Sequence, residues 1–183
     1  MTAWVAAVDA KFHEALGVME LALRACPDER WNASLWTVRG VERVGGGMME
    51  LPPDERVQLL SAVWNIAYHA IFHFDFMLSR RRLPFDSPPP FRTDDHIVDT
   101  RSFDRALPAR AYTREELLGY IAHCRRKVGE ILPSLSEEDL ASPVGRSTFA
   151  ERLLQSLVHV WEHATQIHMF LGTDPRELRQ ADG

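Results

Sequence analysis

An all-α fold, specifically a four-helix bundle, follows from three features of this 183-residue sequence. Apolar residues recur at helical spacing in four separate stretches. Two of those stretches open on a capping box. No stretch shows the apolar-polar alternation of a half-buried strand.

The first helix is expected over residues 3–26. Trp4, Val8, Phe12, Ala15, Met19, Ala22 and Leu23 recur at helical spacing, and Pro27 closes the segment. Residues 27–53 hold Pro27, Gly40, Gly45, Gly46, Gly47, Pro52 and Pro53, so a long loop is expected, with at most a short turn around Val38 to Val44. A second helix is expected from near Asp54 to about Arg81. Its centre, Val63 to Phe74, is apolar nearly all round, which suits a helix in the middle of a protein. Arg80, Arg81 and Arg82 fall where that helix ends and serve as a solvated basic cap. Pro84, Pro88, Pro89 and Pro90 then open an irregular stretch to about Tyr112.

Thr113 with Glu116 forms a capping box for a third helix, which runs through Leu117, Tyr120, Ile121, Cys124, Val128 and Ile131 and stops at Pro133. Ser136 to Leu140 fits a short helical turn. Thr148 with Glu151 is the second capping box; it opens a fourth helix that Gly172 caps. Asp174 and Pro175 can start one last exposed turn. The link of roughly thirty residues between the second and third helices is too long for a hairpin. As a long crossover it returns the chain to its starting end and makes those two helices parallel. One domain over residues 1–183 accommodates all four.

The hydrophobic fraction of 45% and charged fraction of 26% belong to a globular protein. A net charge of -5 and a pI near 5.9 exclude the basic face of a nucleic-acid binder. No stretch is apolar for long enough to span a bilayer. Asp9, Lys11, His13 and Glu14 break the pattern of a secretory signal. Cys26 and Cys124 are too few and too far apart for a disulfide framework, so a reducing cytoplasm is expected, with both thiols in packing roles.

Histidine carries the functional signal. Of the 8 histidines, four form two pairs spaced by four residues: His69 with His73, and His159 with His163. Such residues lie one turn apart on one helix face, so two imidazoles can converge on a single ion. A lone core histidine is more often hydrogen-bonded to a carbonyl. Here, however, His159 and His163 share a face with Ser156 and Gln166, flanked by Leu157, Val160, Trp161, Ala164 and Ile167. A polar stripe on an otherwise apolar helix marks an internal site. The third ligand must come from another element, and the apolar second helix offers His69 or His73, of which His69 is the favoured one. His73 is then a supporting or packing residue, and Asn65, one turn before His69, can orient it or line the same pocket. His13, His96 and His123 are expected at the solvated surface, and His168 lies off the register of the pair.

Two other metal patterns fail. A di-iron carboxylate bundle needs Glu-x-x-His motifs, and the chain has none. The run from His159 to His163, with Glu162, matches the inverted zinc-protease motif. Its third ligand would be Glu177, stranded beyond Gly172 and Pro175.

Two stretches, Trp64 to His69 and His159 to Ile167 with His163 and Gln166, resemble the DinB/YfiT-like family of four-helix metalloproteins. The Pro-rich stretch, the Tyr112 to Leu118 opening of the third helix and the helix lengths fit the same family. The resemblance implies an up-down-down-up bundle, a three-histidine site for one divalent transition metal, zinc or nickel, and a homodimer. It further implies a small-molecule substrate, with members acting as metal-dependent hydrolases or as transferases that use a low-molecular-weight thiol. Glu162 departs from the family, which often has histidine or a neutral residue at that place.

Three neutral imidazoles leave an ion with an open position, the arrangement that activates water or a thiol. Glu162 is the candidate base. The competing expectation is a non-catalytic metal- or ligand-binding helical dimer.

Overall fold

The computed structural model describes residues 3–42, 48–50, 58–79, 87–91, 108 and 110–174. Four long helices dominate it: α1 (Ala3–Ala25), α2 (Val63–Ser79), α3 (Arg114–Ile131) and α4 (Phe149–Leu171). The bundle fold expected from the sequence is the observed one. Both expected capping boxes form, Thr113 with Glu116 before α3 and Thr148 with Glu151 before α4. Gly172 ends α4 at φ 71, a left-handed conformation that costs glycine nothing. A third box, Ser136 with Asp139, opens the short helix Glu137–Ala141.

Three expectations need correction. The helix carrying His69 begins at Val63 rather than near Asp54. The chain is extended at Ala62, which bridges to Ser34, while the Ser61 hydroxyl donates to the Trp36 carbonyl at 2.6 Å. Gln58 accepts from the Val38 amide and donates to its carbonyl. Pairing with the preceding loop thus outcompetes helix extension. The second correction is in that loop, where Gly40–Glu42 pairs antiparallel with Met48–Glu50. Third, Pro143–Val144 pairs with Ser147–Thr148 around Gly145, whose φ of 65 suits a tight hairpin. Strands of two or three residues are too short for alternation to register in a sequence. The expected caps at Arg80 to Arg82, the histidine His96, and the turn starting at Pro175 lie outside the described residues.

Side-chain contacts fix the helix directions. Arg125 bonds Glu20, while Arg114 bonds the Leu23 and Cys26 carbonyls, so α3 runs antiparallel to α1. Tyr112 meets Trp64 and Tyr68, Tyr120 reaches Asp75, and Lys127 reaches Asp75 and Ser79, so α2 and α3 run parallel. His168 bonds the Val18 carbonyl and Arg30 the Phe170 carbonyl, which places the ends of α1 and α4 together. These senses are those of an up-down-down-up order. Each long helix packs mainly on two others, α1 and α2 both lying against α3 and α4.

The apolar face of every helix is turned into one core. Phe12 and Phe74 meet edge to face at 4.9 Å across α1 and α2. Phe91, from the link between α2 and α3, stacks on Tyr120 at 4.3 Å and on Tyr68 at 5.7 Å. Each such aromatic pair adds about 0.5–1.5 kcal/mol beyond the area it buries. Among the described residues no helix is long and apolar enough to cross a membrane.

Candidate metal centre

The centre lies between α2 and α4. These helices run antiparallel, so the pair His69 and His73 passes the pair His159 and His163 in opposite order. Ring centroids are 4.9 Å apart for His69 and His159, 5.2 Å for His69 and His163, and 4.4 Å for His159 and His163. The Nε2 atoms of His69 and His159 are separated by 3.1 Å. One ligand-type nitrogen from each of His69, His159 and His163 lies within 4.8 Å of the other two. Two nitrogens each about 2.0–2.1 Å from a tetrahedral ion would stand roughly 3.4 Å apart, so the three rings could hold an ion after only small adjustment.

Gln166 selects the tautomer of His163. Its Oε1 accepts from Nδ1 of His163 at 2.8 Å, which leaves Nε2 with the ring's free lone pair. Burial holds His163 below the ordinary imidazole range, against the opposing effects of the Gln166 bond and the Glu162 charge. A neutral imidazole is the form that binds a metal. Donor type, spacing and protonation therefore fit a divalent transition ion, and Gln166 lies where a supporting residue was expected.

His73 sits beside this trio rather than in it. Its ring centroid is 4.4 Å from His159 but 6.5 Å from His69. Its Nδ1 is buried with no hydrogen-bond partner. Burial is the main reason its pKa lies below the usual value, followed by the charges of His163 and Arg152. A buried orphan nitrogen costs about 1–3 kcal/mol, so a second role beyond packing is called for.

Two expected site residues are not among the converging ligand atoms. The Asn65 amide donates to the Leu60 carbonyl at 3.0 Å, a bond that helps fix the start of α2. Glu162 is exposed on α4, and its carboxylate is outside the group of converging ligand atoms. Adjacent helix residues are turned by about 100° from one another, which is enough to take Glu162 off the inward face of His163. His13 is exposed, as expected. His123 is not at the solvated surface. It is partly buried, with Nε2 3.7 Å from the Asp75 carboxylate. His168 is buried and bridges the Val18 carbonyl and Thr173 hydroxyl. Both cysteines are free and buried, and burial raises their thiol pKa values, so neither is primed as a nucleophile.

A second polar cluster escaped sequence reasoning. Asp75 is fully buried and accepts from Tyr120 at 3.0 Å and from Lys127 at 2.6 Å. Burial and the Asp75 charge push the Tyr120 phenol far above its usual range. The available signal was a lone carboxylate in an otherwise apolar helix.

No curated protein and no solved structure matches the chain. A model of the DinB superfamily matches residues 11–167, a span that takes in His69, His73, His159 and His163, and the chain therefore belongs to that superfamily.

Proposed function

We propose that this protein is a metal-dependent enzyme acting on a small molecule, by hydrolysis or by transfer to a low-molecular-weight thiol. His69, His159 and His163 hold one divalent transition metal, zinc or nickel. The observation that carries the proposal is the convergence of three imidazoles, from two helices, with no fourth ligand atom in their group among the described residues. When bound, such an ion lowers the pKa of water or a thiol at its open position. Gln166 fixes His163 in its metal-binding tautomer. His73, held neutral and with Nδ1 unpartnered, is better placed than the exposed Glu162 to accept a proton at the centre. The apolar core behind α2 keeps water from the far side.

The family resemblance adds a homodimer to this proposal, and the two isolated cysteines add a reducing cytoplasm. Val158 and Met169, 62% and 77% exposed on α4, are apolar side chains a second copy would cover. Light scattering tests the dimer. For the enzyme, purified protein should retain about one equivalent of metal, lose thermal stability with chelator, and turn over thiol conjugates or small esters and amides. Metal-loaded protein inert toward all three substrate types would point instead to a binding protein.

A further inference from the structure

Arg152 lies on the same helix as His159 and His163, two turns nearer the start of α4, or about 10 Å along its axis. With Ser156, His159, His163 and Gln166 it completes the polar stripe of that helix. Its charge is the smallest of the three contributions to the lowered pKa of His73.

Its hydrogen bonding is incomplete in a specific way. Nη1 donates to Gln155 at 2.8 Å. Nε is buried and has no partner, and Nη2 lies 3.8 Å from the position a Cβ would take on Gly145. The edge formed by Nε and Nη2 is the fork that grips a carboxylate. Arg24 uses that edge on Glu20, with bonds of 3.0 and 2.7 Å. Arg110, Arg114, Arg125 and Lys127 all pair with carboxylates as well. Arg152 makes no ion pair among the described residues. Its neighbour Glu151 is committed to the backbone and hydroxyl of Thr148. A partly buried guanidinium whose Nε has no partner, on the same helix face as His159 and His163, has the chemistry to receive an anion.

We propose that the Nε–Nη2 edge of Arg152 is the anion subsite of the histidine centre and receives the carboxylate of a small substrate whose reacting group sits among His69, His159 and His163. The inference rests on the metal-centre reading and narrows its substrate class to carboxylate-bearing molecules.

The test compares ω-mercaptocarboxylates, from mercaptoacetate to mercaptohexanoate, with alkanethiols of the same length on metal-loaded protein. At least one acid should bind about ten-fold or more tightly than its alkanethiol, about 1.4 kcal/mol, and should shift the NMR resonance of the Arg152 Nε–H. Arg152→Met should erase that preference while leaving alkanethiol affinity and metal content unchanged. Arg152→Lys, which keeps charge but loses the fork, should lose most of it. Equal binding of acid and alkanethiol across the series overturns the subsite, as does a preference that survives in either variant. Elemental analysis of the same samples separates the two readings. Protein that holds metal but shows no Arg152-dependent preference overturns the subsite alone. Protein without metal overturns the metal centre, and titration of the Arg152 Nε–H with butyrate then decides the subsite by itself.

Discussion

The Nε2 atoms of His69 and His159 stand 3.1 Å apart although 90 residues separate them in the chain. Two ring nitrogens at that distance can share one proton, and in the proposed metal centre they would share one ion. His69→Ala, His159→Ala and His163→Ala should each abolish metal retention through purification, measured by elemental analysis. Gln166→Ala, which frees the His163 ring, should weaken metal affinity about 10–100-fold. His73→Ala should keep the metal. Retention in His69→Ala together with loss in His73→Ala would reverse the assignment of the third ligand.

Acid should destabilise the metal-free protein through His73 and His163. Both are held below the usual imidazole value of 6.5, chiefly by burial. The unfolded chain then takes up protons at a higher pH than the folded one, so stability rises with pH across that interval. Their contribution is fully present above about pH 6.5 and is lost as the pH falls from there through the lower folded values. Urea unfolding of chelator-treated protein should give a midpoint that is flat above neutrality and declines below it. His73→Phe should flatten part of the decline. A midpoint unchanged between neutral and mildly acidic pH would contradict the burial of both rings.

The capping boxes were visible in the sequence because they are local: Thr148 and Glu151 are three residues apart and need no tertiary partner. Their geometry forms as expected, with Glu151 donating its amide to the Thr148 hydroxyl at 3.2 Å. Thr148→Ala should therefore cost about 1 kcal/mol of stability, measured by urea unfolding, and leave metal content unchanged. The histidine pairs were visible for the same reason, since four-residue spacing on a helix sets a shared face. What the sequence could not supply was distance between elements. Asn65 looked like a partner for His69, yet the nearby Leu60 carbonyl takes its amide. His123 looked solvated until the parallel packing of α2 and α3 set it against Asp75. Arg152 carries no motif at all; it stands out only once its buried, unpartnered Nε is known.

Asp75 and Lys127 make the last test, because they join α2 to α3 on the side of α2 away from the centre. The carboxylate is fully buried and the ammonium side chain is 19% exposed, so water screens the pair little. Ser79 also contacts both charges, and Tyr120 donates to Oδ2. Lys127→Met leaves the buried carboxylate with hydroxyl donors and the His123 imidazole 3.7 Å away, and should cost about 3–5 kcal/mol. Removing both charges, as in Asp75→Leu with Lys127→Met, should recover much of that loss, since neither ion then needs to be desolvated. The Tyr120 hydroxyl would be left without its acceptor at about 1–3 kcal/mol, so adding Tyr120→Phe should recover more. Urea unfolding across the four proteins measures each step. A Lys127→Met variant within about 0.5 kcal/mol of the parent would mean that the pair behaves as a surface salt bridge, and that the parallel contact of α2 and α3 rests on its apolar side chains alone.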